Sequence, residues 1–542
     1  MQGLMMDVPL MISSLIRHAD RYHGDTQIVS RTVEGPIHRY TYRDAHRRAR
    51  QLALALRQLG VEHGDRVGTL AWSTNRHFEL YYAVSGIGAV IHTINPRLFL
   101  EQIAYIVGHA EDSLLFFDTT FTSIVDELAA KSHSVKAWIA MTDRAHMPHT
   151  AARPLLCYED VVSAASDEFE WPVFDENTAS GLCYTSGTTG HPKGVLFSHR
   201  STVLHAYANA LPDTKNTSAR SVTLPVVPMF HVNAWGLPYT GPLVGAKLVF
   251  PGPRLDAASL HGLIEGEQVD SMSGVPTVWL GLIDYMRQGK RRFTTLRHAT
   301  VGGAACPQAM LRTLTEEFGL QVIHGWGMTE MSPVGTINTP KAKHASLTAD
   351  EKLQLGIKQG RPPYGVDIRI VGADGAELPR DGRSAGDVHV RGPWIMRRYF
   401  RDEGGDPLTP DGWLPTGDVG TLDADGYLQI TDRSKDVIKS GGEWVSSIEL
   451  ENIAVGHPAV AEAAVIGVAH PKWGERPLLV VVKKPAAELT RDGLLAFYDG
   501  KAAKWSTPAD VVFVDELPHT ATGKLSKVTL RERFRDYRLP ER

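Results

Sequence analysis

The sequence has few cysteines and little net charge, and both shortages exclude classes of protein. Its three cysteines, Cys157, Cys183 and Cys306, are scattered. They show neither the spacing of a metal site nor the even number that a disulfide framework needs. This usage is typical of a reducing compartment and predicts a cytoplasmic protein. The formal net charge is −4, so no general affinity for nucleic acid is expected.

Long hydrophobic runs are also missing. Residues 80–96, the longest uncharged stretch, are interrupted by glycines, His92 and Asn95, and they are expected to form buried core instead of a membrane span. Residues 1–17 have no small-residue cleavage site after an apolar run and are a poor secretory signal. The basic run 43–50 precedes a leucine-rich segment and predicts the solvated face of an amphipathic helix. No integral membrane association is therefore predicted.

The composition is that of a globular protein, with 43% hydrophobic and 22% charged residues among 542, a length that predicts two or more domains. Short apolar runs alternate with helical lengths of chain, which predicts an α/β fold with largely parallel sheets. The runs are 66–71, 89–92, 114–117, 137–140, 221–224, 247–250 and 321–324.

The pattern changes towards the C-terminus. The short alternating runs 366–371, 387–391 and 427–430 are joined by Asp-Gly turns and predict a small β-rich, barrel-like subdomain. The last segment has strand-like runs at 463–467, 478–482 and 511–514 and a helix candidate at 492–498. We therefore predict a large N-terminal domain at 1–432, a hinge at 433–435 and a small α+β domain at 436–542.

The most informative motif is the loop at residues 184–194, Tyr-Thr-Ser-Gly-Thr-Thr-Gly-His-Pro-Lys-Gly. Glycines let a backbone turn tightly around an anion, and the hydroxyls and the lysine add donors, so the loop is suited to a polyphosphate. It is not a Walker A loop, because Pro192 stands where that pattern needs its second glycine. A flexible linker is the alternative, and the apolar runs on both sides disfavour it.

Six segments, in order along the chain, resemble the motifs of the adenylate-forming superfamily, which includes acyl- and aryl-CoA synthetases, luciferases and peptide-synthetase adenylation domains. The tract 432–449 is similar as well. The resemblance covers most of the chain and looks closest to bacterial medium-chain fatty-acyl-CoA ligases and 3-methylmercaptopropionyl-CoA ligases. The six segments are 184–194, 228–236, 302–305, 325–330, 415–418 and 522–524.

The resemblance implies an AMP-forming acid–thiol ligase whose fold has two parallel-sheet α/β subdomains, the small β-barrel-like subdomain and a mobile C-terminal domain. A carboxylate attacks the α-phosphorus of ATP and pyrophosphate leaves. CoA then takes the acyl group from the acyl-adenylate and AMP leaves. The implied ligands are a small carboxylic acid, ATP, Mg²⁺ and CoA, and a homodimer is left open.

The resemblance also implies roles for individual residues. Lys524 is expected to offset charge developing between the carboxylate and the α-phosphate. Thr329 is expected at the α-phosphate, Glu330 at Mg²⁺ and His231 beside the substrate carboxylate. Taken alone, the Thr329-Glu330 pair would indicate the start of a helix, and Lys524 would be a solvated lysine in a loop. The surrounding motifs favour the functional roles for all three residues. The remaining ATP- or AMP-binding residues are Thr185, Ser186, Gly187, Thr188, Thr189, Lys193, Gly302, Gly303, Ala304, Ala305, Gly325, Trp326, Gly327, Asp418 and Arg433.

A lysine on the small domain must reach the nucleotide and then withdraw so that CoA can approach. The family achieves this by rotating the small domain about a hinge, a position that Lys435 matches. Ser440, Gly441 and Gly442 match the segment beside the CoA tunnel.

Val232, Trp235 and Met328 are expected to line the acyl pocket. A bulky Trp235 favours a short or medium chain, although a core aromatic is the alternative at that position. Peptide-synthetase adenylation domains have an aspartate shortly after the aromatic residue of this segment. The run 230–233 contains no acidic residue, so the resemblance does not imply amino-acid activation. 3-Methylmercaptopropionate and aryl acids remain alternative substrates.

A serine hydrolase is the alternative from another class. Residues 382–386, Gly-Arg-Ser-Ala-Gly, match a nucleophile elbow around Ser384. An elbow lies between a strand and a helix, whereas a strand-like run follows here, so we interpret the match as a surface hairpin.

Overall fold

The computed structural model describes residues 1, 3–185, 191–440, 443–485, 487–503, 505–519 and 525–540, with the backbone alone at 443 and 444. The predictions for Ser186, Gly187, Thr188, Thr189, Gly441, Gly442 and Lys524 concern positions outside this range. No described helix is long and apolar enough to cross a membrane.

Four sheets of eight, seven, four and five strands organise the described residues. The eight-stranded sheet runs, in spatial order, Val334–Ile337, Gln321–Gly327, His298–Val301, Ser271–Gly274, Val222–Pro225, Lys247–Phe250, Gln27–Arg31 and Ile37–Thr41. The seven-stranded sheet runs Leu155–Cys157, Ala137–Ala140, Asp112–Phe117, Arg66–Leu70, Val90–Thr93, Ala179–Tyr184 and Gly194–Ser198.

Both large sheets are parallel in their interiors. The eight-stranded sheet has one antiparallel strand at each edge, and the seven-stranded sheet has one at a single edge. Interior strands such as Ala137–Ala140 and Asp112–Phe117 are buried along their whole length, as expected when helices cover both faces of a parallel sheet. The predicted α/β fold is confirmed.

Helices cover the two sheets and join them. The helix Asn75–Gly86 is buried at every position except Arg76, and its Tyr82 hydroxyl donates to the Pro238 carbonyl at 2.7 Å. The other helices are Ile12–His23, Tyr42–Gln58, Leu100–Ala110, Thr122–Ala129, Tyr158–Ser163, His199–Ala210, Leu237–Val244, Ala257–Glu267, Pro276–Gln288, Gln308–Arg312, Ala349–Gly356, Ser447–Val455, Arg491–Ala496 and Lys527–Arg533.

The basic run of the sequence lies in the helix Tyr42–Gln58, which begins with a capping box between Thr41 and Asp44. The prediction of a solvated face is only partly right. Arg43 and Arg47 are exposed, but Arg48 turns inward, where its guanidinium lies 2.9 Å from the fully buried Glu79 carboxylate. A buried carboxylate of this kind needs a cationic partner.

The β-rich region is an antiparallel four-stranded sheet, Asp367–Val371, Gly386–Arg391, Leu414–Leu422 and Leu428–Arg433, paired in sequence order. No bond closes its first strand onto its last within the described residues, so the sheet is open. Ser384 lies just before a strand, and its hydroxyl donates to Asp381 at 2.9 Å. This turn is not a nucleophile elbow, which would lead into a helix.

The C-terminal sheet is built from residues beyond 437. Its strands are Glu443–Val445, Ile438–Ser440, Gly474–Lys483 and Val460–His470, with Asp510–Phe513 parallel to Gly474–Lys483. Helices Ser447–Val455 and Arg491–Ala496 pack on one face, and their apolar residues share a core with the sheet. This part of the chain therefore has its own hydrophobic core.

Candidate active site

Three of the predicted site segments follow the carboxyl ends of parallel strands. Ala179–Tyr184 leads into the phosphate loop, His298–Val301 into Gly302, and Gln321–Gly327 into Thr329 and Glu330. In open α/β sheets, ligands bind in the crevice beyond these strand ends. The fold therefore gathers segments that are more than 100 residues apart in the sequence.

A cavity of about 530 Å³ lies between the large N-terminal part and the C-terminal part. The N-terminal part contributes Gly303, Ala304, Ala305, Gly325, Trp326, Gly327, Asp418 and Arg433, and the C-terminal part contributes Glu451, Glu462, His519, Leu525 and Lys527. Eight of the predicted nucleotide residues thus share one cavity. Among the described residues, its lining does not include Lys193, Thr329 or Glu330.

Asp418 is a buried carboxylate of the cavity with two side-chain donors. It is 3% exposed, its Oδ1 lies 2.8 Å from Nε of Arg433, and its Oδ2 accepts a hydrogen bond from Nε1 of Trp326 at 2.8 Å. The strand pairing places Asp418 directly opposite Arg433. The predicted ribose pair is therefore formed within the protein, with the carboxylate oriented by two donors.

Glu330 and Lys193 both contact the side chain of Tyr399. The Tyr399 hydroxyl donates to Oε1 of Glu330 at 2.8 Å, and Nζ of Lys193 lies 4.9 Å from the Tyr399 ring centroid. Burial, and then the Glu330 carboxylate, raise the pKa of Tyr399 above its usual range, so its hydroxyl keeps the proton that it donates. Tyr399 connects the lysine of the phosphate loop to the predicted Mg²⁺ carboxylate.

The two ends of the phosphate loop are joined by backbone and side-chain bonds. The Thr185 amide donates to the Lys193 carbonyl at 2.8 Å, and the Thr185 hydroxyl accepts from the Lys193 amide at 3.3 Å. The hydroxyl predicted to contact phosphate thus also closes the base of the loop.

On the C-terminal side, Lys527 is paired within the protein. Its Nζ lies 2.7 Å from Oε1 of Glu451 and also donates to Ser447. Burial alone would lower the pKa of Lys527, but Glu451 and Asp432 raise it above its ordinary value, so Lys527 stays charged. The predicted Lys524 lies outside the described residues, between His519 and Leu525, both of which line the cavity.

The connection between the two parts runs from Arg433, where one strand ends, to Ile438, where the next begins. Lys435 lies within it. Contacts span the connection, since the Ser447 amide donates to Oδ2 of Asp432 at 2.7 Å. Ser440 is buried, and its hydroxyl accepts from Arg476 at 3.3 Å.

The predicted acyl wall has an unusual backbone. Val232, Asn233, Ala234 and Trp235 all have positive φ, between 43° and 55°. This left-handed turn is disfavoured for residues with a side chain by about 1–2 kcal/mol each. The Tyr81 hydroxyl stabilises the turn, because it donates a hydrogen bond to Oδ1 of Asn233 at 3.1 Å.

The side chains around this turn occupy different places. His231 and Val232 line a small cavity with Thr93, Asn95 and Phe230. Met328 packs against the hydrophobic core residues of the four-stranded sheet. The Trp235 ring reaches Gly302, where a Cβ would lie 3.0 Å from its Cη2. Gly302 thus accommodates the indole ring, and Gly303, not Gly302, lines the large cavity.

Two family models match most of the chain. The model of the family described as AMP-binding enzyme matches residues 15–400. The model described as AMP-binding enzyme C-terminal domain matches residues 449–524. The chain belongs to the AMP-binding enzyme family. The match at 449–524 falls inside the predicted C-terminal domain.

Two relatives match this AMP-binding enzyme over nearly its whole length. The medium-chain-fatty-acid–CoA ligase of Ectopseudomonas oleovorans is 51% identical over 99% of this chain and 98% of the relative. The 3-methylmercaptopropionyl-CoA ligase of Ruegeria lacuscaerulensis is 52% identical over 99% of both. Among solved structures, ATP-bound MatB from Rhodopseudomonas palustris has a TM-score of 0.81 at 25% identity, covering 97% of this chain and 99% of that one.

Sequence reasoning missed several residues of this AMP-binding enzyme. Tyr399 lies 69 positions from Glu330, and no motif spacing connects them. Lys527 belongs to the same tract as Lys524, but its pairing with Glu451 depends on how a helix and a loop pack. Asp432 entered the sequence analysis only as the first residue of the tract 432–449, without a role of its own.

Proposed function

We propose that this protein is an ATP-dependent acyl-CoA ligase that converts a short- or medium-chain fatty acid into its CoA thioester. The observation that carries the proposal is the cavity in which Asp418, Arg433 and Trp326 face the ends of the segment that contains Lys524. The names of the relatives support the same reaction. We place the enzyme in the cytoplasm and leave a homodimer as a further possibility to be measured.

In the first step a carboxylate oxygen attacks the α-phosphorus of ATP, the bond to the β-phosphate oxygen breaks, and pyrophosphate leaves with the electron pair. Asp418 accepts hydrogen bonds from the ribose hydroxyls, while Thr329 and the phosphate loop position the triphosphate. Lys524 supplies positive charge where the new bond forms. Stabilising charge that develops in the transition state is the main contribution of such groups.

Magnesium fits the residues at Glu330. Glu330 is 6% exposed, and Tyr399 holds one of its oxygens. Mg²⁺ is usually held by one or two carboxylates together with phosphate oxygens. No group of three or more His, Cys, Asp or Glu side chains that could form a protein-only site occurs in the part of the chain that the structure describes. A bound Mg²⁺ would neutralise phosphate charge.

In the second step the CoA sulfur attacks the acyl carbonyl, the bond to the AMP oxygen breaks, and the thiol proton passes to solvent. Lys524 has to withdraw first, and the connection around Lys435 provides the rotation. Ser440, Gly441 and Gly442 then face the pantetheine chain.

An acid panel tests the proposal. C2–C16 fatty acids, 3-methylmercaptopropionate and an aryl acid are each supplied with ATP, Mg²⁺ and CoA, and AMP release is measured. We expect the highest kcat/KM among the C4–C10 acids. Release that depends on ATP but on none of these acids would contradict the proposal, and a preference for 3-methylmercaptopropionate or the aryl acid would identify the alternative substrate.

Replacing Asp418 by asparagine should weaken ATP binding. The amide keeps an acceptor for Trp326 but removes the charge that pairs with Arg433 and binds the ribose hydroxyls. Hydrogen bonds to charged groups contribute about 1.5–3 kcal/mol each, so KM for ATP should rise about 10–100-fold. Asp411→Asn, in an exposed ion pair with Arg369, is the control, and an equal effect of both variants would show that Asp418 does not contact ribose.

Replacing Trp235 by alanine should shift the preference towards longer acids. The indole ring occupies the space beside Gly302, and each methylene in an apolar pocket contributes about 1–3 kcal/mol to discrimination. The ratio of kcat/KM for dodecanoate to that for hexanoate should rise about tenfold. Trp473→Ala on the surface is the control. An unchanged profile would show that Trp235 does not set chain length.

A further inference from the structure

Lys215 is a buried lysine that the proposed reaction does not use. It lies in the loop that follows the helix His199–Ala210, and it is 6% exposed. Among the described residues, nothing accepts a hydrogen bond from its Nζ. Burial lowers its pKa to about 7. A buried amine in this state is destabilising unless something supplies an acceptor.

A buried acceptor without a donor lies on the neighbouring helix. Asn209 is fully buried, and within the described residues its Oδ1 has no partner. Its Nδ2 is used twice, since it donates to the Trp235 carbonyl at 3.1 Å and to the Thr240 hydroxyl at 3.0 Å. The Lys215 amide also donates to the Asn209 carbonyl at 3.3 Å. The unmatched donor and the unmatched acceptor are therefore on residues joined by their backbones.

Both residues contact Trp235. The Lys215 Nζ lies 5.5 Å from the centroid of the Trp235 ring, and Asn209 bonds to the backbone of the same residue. The other edge of the ring reaches Gly302 and Gly303, and Gly303 lines the large cavity. Trp235 thus lies between the large cavity and the two unmatched polar groups.

The nearby histidine, His205, does not supply the amine with a charged partner. His205 is 2% exposed, and its Nε2 accepts from the Val334 amide at 3.4 Å. Burial, and then Lys215, lower the pKa of His205 to about 3, so it is neutral at the pH where the amine titrates. Lys215 and His205 are therefore not an ion pair.

We propose that Lys215 and Asn209 form a distal acyl subsite, on the side of Trp235 away from the large cavity, for carboxylic acids that carry an oxygen acceptor at their far end. The proposal rests on the proposed function. A terminal hydroxyl fits both groups, because it accepts from Nζ and donates to Oδ1. A second carboxylate also accepts from Nζ, and it leaves Oδ1 unmatched.

Three acids of equal chain length test the subsite. Hexanoate, 6-hydroxyhexanoate and adipate are compared in the full-length enzyme and in Lys215→Met, which keeps the shape and removes the donor. We expect the ratio of kcat/KM for 6-hydroxyhexanoate to that for hexanoate to fall at least tenfold in the variant. The ratio for adipate should fall as well. Lys352→Met, on an exposed helix, is the matched control.

Two further measurements separate binding from folding. Lys215→Met should raise Tm, because it removes a buried amine that has no protein partner, whereas a merely structural lysine would lower Tm when replaced. Lys215→Gln, which keeps an amide donor, should retain part of the preference for 6-hydroxyhexanoate. Dissociation constants of the non-reactive acyl-sulfamoyl adenosines made from hexanoate and 6-hydroxyhexanoate should differ in the wild-type protein and converge in Lys215→Met.

The outcomes distinguish the two proposals. If the wild-type protein releases AMP with hexanoate and the ratios are the same in Lys215→Met, the subsite is wrong and the amine binds water only. The same conclusion follows if the wild-type protein uses neither oxygenated acid. If no acid in the acid panel or in this set promotes AMP release, the proposed function itself fails.

Discussion

Alanine in place of Lys524 should lower the rate of acyl-adenylate formation about 10²–10³-fold, the usual effect of removing one group that stabilises transition-state charge. The thioester half-reaction should be largely unaffected, because in the proposed mechanism Lys524 withdraws before CoA reacts. The two halves are separable. Pyrophosphate release reports the first, and conversion of a supplied acyl-adenylate to acyl-CoA reports the second.

Lys472, an exposed lysine of the C-terminal part, provides the matched control, and Lys472→Ala should leave both half-reactions unchanged. Lys527 is unsuitable as a control, because its loss would leave Glu451 buried without its cation. A comparable loss in both half-reactions of Lys524→Ala would mean that this residue supports the fold or binds CoA.

Proline in place of Lys435 should have the opposite effect. Proline fixes φ near −65° and removes the amide donor, so a rotation about this residue is prevented. The thioester step should slow about 10²-fold, because a displaced catalytic geometry has a cost of this size, while adenylate formation continues.

Lys435→Ala separates the backbone effect from the side chain, since alanine keeps the amide donor and does not fix φ as proline does. It should support both half-reactions. If Lys435→Pro slows both halves equally, the rotation occurs elsewhere in the connection between Arg433 and Ile438.

The two large sheets were largely predictable, because most of their strands are buried in parallel arrangements and therefore form continuous apolar runs. The runs at 137–140 and 247–250 coincide with the strands Ala137–Ala140 and Lys247–Phe250. The inward turn of Arg48 towards Glu79 was not predictable, because charge pattern alone does not show which side of a helix meets a buried carboxylate. The open order of the four-stranded sheet depends on strand pairing, which runs of residues do not encode.

Part of the cavity lining was predictable from the motifs of the sequence. Asp418 and Arg433 were assigned to one ribose site, and the structure pairs them. Trp326 was assigned to the nucleotide site, but its bond to Asp418 joins residues 92 positions apart. Lys215 gave no signal in the sequence, because a buried lysine and a surface lysine look alike until packing is known.

The left-handed turn at 232–235 limits how the proposed acyl pocket can be re-engineered. Most substitutions in a pocket wall are judged by side-chain volume, but here each new residue must also tolerate positive φ. Asparagine, aspartate and glycine adopt this conformation readily. β-Branched residues adopt it only at a cost in conformational free energy, as Val232 does in this turn. A mutant library restricted to tolerant residues at these four positions should therefore contain more folded variants than a fully randomised one.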